Sequence, residues 1–159
     1  MRNLNLNRKT TRKPTSQISR LEAIHRLING RTFQPELVEE KLFKINPSYL
    51  SPYCFVYYQY LNVRHHFNYF QSENIIEHLE LASGLIDTMD VTAYKNDVKV
   101  RCDEYHFTRA YVKFIASKFS TDDYEGPYIK AKSQRIVTNA LRFTPNSSKF
   151  IWLQQQLVA

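Results

Sequence analysis

Apolar residues return along this chain mostly at the three-and-four spacing of one helix face, and seldom at the alternate positions of a strand. Ile18, Leu21, Ile24, Leu27 and Ile28 share one face, and Ser16 or Ser19 stands where a helix cap belongs. Gly30 reads as the left-handed residue that ends this first helix. Pro35 opens a second, with Glu36, Glu39 and Glu40 near its positive end and Leu37, Val38, Leu42 and Ile45 as its buried stripe. Asn46-Pro47 closes it.

Tyr49 to Phe70 carries nine aromatic residues and opens with Ser51-Pro52, a helix-start pair. It is apolar nearly all round through Tyr60, as a buried helix is. Tyr53, Phe55 and Tyr57 also alternate, but the length without a turn signal favours a helix over 51–70 that the others wrap.

Ser72-Glu73 reads as the start of the next helix, with Ile75, Ile76, Leu79, Ala82, Ile86 and Met89 on its apolar face. Gly84 inside that pattern suggests a close helix approach. Over 91–102, Val98, Val100 and Cys102 alternate with Lys99 and Arg101, which fits a short strand pair or a continued helix. Asp103 reads as the cap of a helix buried through Phe107, Ala110, Tyr111, Phe114 and Ile115, and 120–126 as a polar loop. Pro127 begins a helix to about Phe143, and a last helix from Ser147 or Ser148 carries Phe150, Ile151, Leu153 and Leu157. The expected fold is all-α, with six or seven helices around the aromatic one: a basic arm over 1–15 and one helical domain over 16–159.

Charge changes this picture. The net charge of +7 is concentrated at the two ends. Residues 1–21 hold six basic groups and no acid, and residues 126–159 hold five and no acid, leaving −4 for the middle. Two positive ends suggest a polyanionic partner, bound through release of its counterions. Arg8, Lys9, Arg12 and Lys13 lie in the first segment, whose composition also fits a transit peptide but lacks the apolar run of a secretory signal. No apolar run is long enough to span a bilayer, so no membrane partner is expected. Cys54 and Cys102 match no zinc or disulfide spacing and read as buried thiols of a reducing, cytoplasmic protein.

The 127–143 segment carries the best candidate surface. At 100° per residue, Tyr128, Lys132, Arg135, Asn139 and Arg142 fall within about 40° of one line, opposite Ile129, Ile136 and Ala140. Cations, an amide and a phenol are the groups that contact phosphates, and Arg and Asn also read base edges. Lys130 adds a further cation beside them. The order helix, turn, basic helix is loosely that of a helix-turn-helix motif. Stacking of bases on Tyr49–Phe70 is disfavoured, because only Arg64 supplies a cation there before His65.

Arg101 and His106 repeat the Arg-x4-His spacing of the HEPN ribonucleases, and this six-residue segment resembles their motif, except that Cys102 replaces the polar residue usual after the arginine. The resemblance implies metal-independent RNA cleavage, with the histidine acting on the 2′-OH or the leaving group and the arginine holding phosphate charge. Arg20 and His25 share the spacing. Asp122-Asp123 with Glu125, and Asp103-Glu104 with His106, read as a solvated loop and a helix N-terminus rather than metal sites. No metal or other cofactor is expected. The leading expectation is therefore a non-enzymatic nucleic-acid-binding protein using the 127–143 helix and the arm. A protein-interaction subunit of a larger assembly stands second, and a ribonuclease third.

Overall fold

The computed structural model describes residues 14–89 and 102–159, with backbone alone at 14, 15, 102 and 103. Its seven α-helices are α1 (Pro14–Ile28), α2 (Pro35–Phe43), α3 (Pro52–Glu73), α4 (Ile76–Thr88), α5 (Cys102–Phe119), α6 (Glu125–Phe143) and α7 (Ser148–Val158). A 3₁₀ turn at Pro47–Tyr49 precedes α3, and there is no strand among the described residues. The fold is all-α, and the strand pair considered for 91–102 lies outside the described residues except for Cys102, which is helical.

The start of α3 is fixed twice over. Ser51 Oγ accepts the Cys54 N–H at 3.3 Å, with Pro52 in the first turn. The buried amide of Gln17 on α1 then brackets the turn, donating to the Tyr49 carbonyl at 2.8 Å and accepting from the Ser51 N–H at 3.0 Å. Tyr57, Tyr60, Leu61 and Val63 of α3 are fully buried against α1, α2, α4 and α5.

Two hydrophobic clusters result. The larger gathers about α3 with Leu21, Val38, Leu79 and Val112, and the smaller joins Ala110, Phe114, Val137, Phe150, Leu153 and Leu157 of α5, α6 and α7. Tyr111 and Ile115 of α5 pack against both. Helix α5 therefore buries residues on two sides, which explains why Lys113 is 5% exposed with its Nζ on Asp87 Oδ1 at 2.6 Å.

Several local expectations are corrected. No glycine among the described residues has positive φ, so Gly30 is not a left-handed cap. The left-handed residue is Asn74 (φ 55), whose N–H bonds to the Phe70 carbonyl at 2.7 Å. Ser72 and Glu73 are consequently the last turn of α3, not the start of α4. Asp103 lies inside α5 and not at its cap, because that helix already includes Cys102. Gly84 faces open space. Ile76 and Ile151, expected on buried faces, are 48% and 37% exposed.

Candidate nucleic-acid interface

Helix α6 begins at Glu125, so Gly126 belongs to its first turn and not to a seven-residue loop. Asp122 Oδ1 accepts the N–H groups of Tyr124 and Glu125 at 2.7 and 3.2 Å, which holds its carboxyl below the usual range and satisfies donors that open the helix. That bonding gives Asp122 a structural role at the helix start.

α6 then runs antiparallel to α5. A Cβ at Gly126 would come within 3.3 Å of the Ser117 carbonyl oxygen, and seven residues on, Ser133 Oγ donates to the Ala110 carbonyl at 2.7 Å. Contact positions that advance along α6 as they retreat along α5 define two helices lying side by side. A helix-turn-helix crosses at about 90–120°, so the loose likeness to that motif does not hold.

This register turns Gly126, Ser133 and Val137 inward and the predicted line outward. Arg135, Asn139 and Arg142 are exposed, Tyr128 is 61% exposed, and Lys132 places its Nζ 4.6 Å from the Tyr128 ring centre. Neither Lys132, Arg135 nor Arg142 forms an ion pair among the described residues. Glu125 is the one carboxylate on α6 and sits at its N-terminal end. Lys130 is different: two residues from Tyr128 it is rotated about 160° away from it, half-buried and off this face. Tyr128 to Arg142 spans about 21 Å. Arg8, Lys9, Arg12 and Lys13 lie outside the described residues.

Sequence reasoning left out the aromatic ends of this face. Tyr124, one turn before Tyr128 on the same line, is 87% exposed, and Phe143 beside Arg142 is equally so. The signal was available, since Tyr124 extends the four-residue spacing of Tyr128 and Lys132, but placing 124 in a loop concealed it.

The other polar constellation lies at the junction of α1, α3 and α5. His25 bonds through Nδ1 to the Tyr57 hydroxyl at 2.7 Å and through Nε2 to Glu104 Oε1 at 2.9 Å. Arg64 bonds to the same carboxylate oxygen, to Asn29 Oδ1 at 2.5 Å and to the Tyr60 hydroxyl at 3.3 Å. Burial disfavours the charge on Glu104, yet the His25 hydrogen bond and the Arg64 charge hold its pKa at about 2. Both His25 nitrogens are engaged, so this ring positions Glu104 and is closed to a substrate. Arg20, five residues before His25, is exposed about 140° round α1 and does not share its site.

Arg101 lies outside the described residues. His106 is half-buried edge-on to Tyr105, and burial, then the Arg109 charge, lower its pKa. His65 is buried and His66 is not: His66 Nδ1 meets His78 Nδ1 at 2.9 Å, with Tyr69 stacked on His78. Among the described residues there is no cluster of three or more metal-ligating side chains, and no helix long and apolar enough to cross a membrane. No protein-family model, curated protein or solved structure matches the chain.

Proposed function

We propose that the protein binds nucleic acid along the outer face of α6, with the basic arm carrying Arg8, Lys9, Arg12 and Lys13 adding phosphate contacts. The observation behind this reading is that Arg135 and Arg142 stand exposed along one helix face with Lys132 half-buried beside them, and no carboxylate is paired to any of the three among the described residues. Cations left in solvent are the groups that exchange readily for phosphate counterions. Tyr124 and Tyr128 give the N-terminal half of the face two exposed rings on which bases stack.

The binding is accessory or regulatory, with no reaction assigned to it. The face is about six nucleotides long at 3.4 Å per step of one strand. Retention of the purified chain on immobilised single- and double-stranded DNA and RNA, across a salt gradient, tests the proposal. Charge reversal at Arg135 and Arg142 is expected to abolish retention. Reversal at Lys41 and Lys44 is expected to spare it, since Lys44 already pairs with Glu40 at 2.9 Å. Absence of salt-dependent retention at low ionic strength overturns the reading and leaves a protein partner for this face.

A further inference from the structure

A second site stands apart from α6. Where the end of α1 and the start of α2 meet α3, the surface holds a cleft of about 190 Å³. That is smaller than the roughly 300–1,000 Å³ of drug-sized sites, so it suits a molecule of about ten non-hydrogen atoms. Leu27, Ile28 and Val38 form an apolar wall, and Phe33 adds a ring held edge-on to Tyr69 at 5.8 Å between centres.

The buried polar group of the cleft is His65 of α3. It is 3% exposed, and its Nε2 has no hydrogen-bond partner. Its ring meets Tyr69 edge-on at 6.1 Å and His66 at a tilt at 5.2 Å, contacts that pack the ring without bonding that nitrogen. A buried polar atom left unpaired is costly, so a group that bonds to it is bound the more firmly. Burial lowers the His65 pKa against the opposing charge of Glu39, which keeps the ring neutral, with one donor and one acceptor nitrogen. A hydroxyl both donates and accepts, so it can pair with Nε2 in either tautomer.

Arg31 lines the solvent side. It is exposed and forms no hydrogen bond or ion pair among the described residues, and no carboxylate lines the cleft. A guanidinium fork left open in this way fits a carboxylate through two parallel hydrogen bonds.

We infer that this cleft binds a small hydroxy acid, with its hydroxyl on His65 Nε2, its apolar body against Leu27, Ile28 and Val38, and its carboxylate on Arg31. Each part of such a molecule answers one feature of the cleft: the unpaired buried nitrogen, the apolar wall and the open cation. Nothing in this argument uses the α6 face, so either proposal can fail alone.

The probe is 4-hydroxybenzoate, with benzoate as the analogue lacking the hydroxyl and phenol as the analogue lacking the carboxylate. The full chain is titrated with each by calorimetry, while proton–nitrogen correlation spectra follow the assigned His65 ring. Saturable binding of 4-hydroxybenzoate that moves the His65 ring nitrogen signals is expected, with benzoate and phenol each about tenfold weaker. Arg31→Gln, at an exposed position that no contact ties to the fold, is expected to weaken 4-hydroxybenzoate about tenfold. Arg135→Glu with Arg142→Glu is expected to leave it unchanged. No saturable binding of 4-hydroxybenzoate, His65 ring signals unmoved at saturation, benzoate or phenol binding equally well, or affinity indifferent to Arg31→Gln overturns the inference.

Discussion

Ser133 Oγ donates to the Ala110 carbonyl at 2.7 Å, and both residues are fully buried where α6 lies along the middle of α5. A serine at this point lets the helices approach closely, and its hydroxyl finds a partner that a larger apolar side chain would displace. The outward aim of Arg135 and Arg142 follows from this contact. Ser133→Ala is expected to cost about 1 kcal/mol through the lost hydrogen bond. Ser133→Leu is expected to cost about 1–3 kcal/mol more by overpacking. Urea unfolding of the two variants checks the order; equal midpoints would show that the helices have room to spare.

The salt dependence of binding counts the phosphates neutralised. If Lys132, Arg135 and Arg142 each meet one phosphate of a duplex, removing Arg135 and Arg142 together lowers the slope of log K against log salt by about 1.8. Fluorescence anisotropy on one labelled duplex at several salt concentrations measures it. A double variant that binds more weakly with an unchanged slope would mean that these arginines act through something other than phosphate.

Gly84 sits inside α4, exposed, where an added Cβ meets no atom within 4 Å. With neither a positive φ nor a close neighbour to require it, the glycine only costs helix propensity. Gly84→Ala is expected to stabilise the protein by about 0.5–1 kcal/mol, read from thermal or urea unfolding.

Acid should weaken the protein in two successive windows. Burial first, then the charges of His65 and His78, lower the His66 pKa to about 4. An unfolded histidine takes up its proton near pH 6.5, so the unfolded state gains protons first as the pH falls. The stability from a neutral His66 is complete above about pH 6.5 and is lost progressively down to about pH 4. Glu104 follows at lower pH: its contribution is present above about pH 4.5 and is lost as the pH falls through about 2. Unfolding free energies at stepped pH are expected to show that His66→Gln reduces the slope in the upper window, to which His65 and His106 also contribute, and leaves the lower one unchanged. A His66→Gln profile parallel to that of the unaltered chain would refute this assignment.

The helices were legible because their apolar periodicity is local, whereas several of the caps were misplaced. Ser51-Pro52 and the Ile18, Leu21, Ile24 stripe announce α3 and α1 without reference to the rest of the chain. Gly84 was misread for the opposite reason. Whether Gly84 or Gly126 lies at a close approach depends on which helix faces it, and Ser117, the group Gly126 meets, is nine residues away across a turn. The outward line of α6 was visible as spacing, whereas Ser133 as its buried counterpart was not, since serine carries no apolar signal. The His25–Glu104 contact joins positions 79 residues apart and left no local trace. Lys113 was likewise hidden, because only α5's double burial and Asp87 on α4 explain a lysine inside.

The way α5 is shared between the two clusters has a mechanical corollary. Ala110 and Phe114 on one side of the Ser120–Tyr124 bend complete the same hydrophobic cluster as Val137, Phe150 and Leu153 on the other. A protease that nicks this bend severs the backbone but not the cluster, so the two pieces should travel together on a sizing column until denaturant parts them.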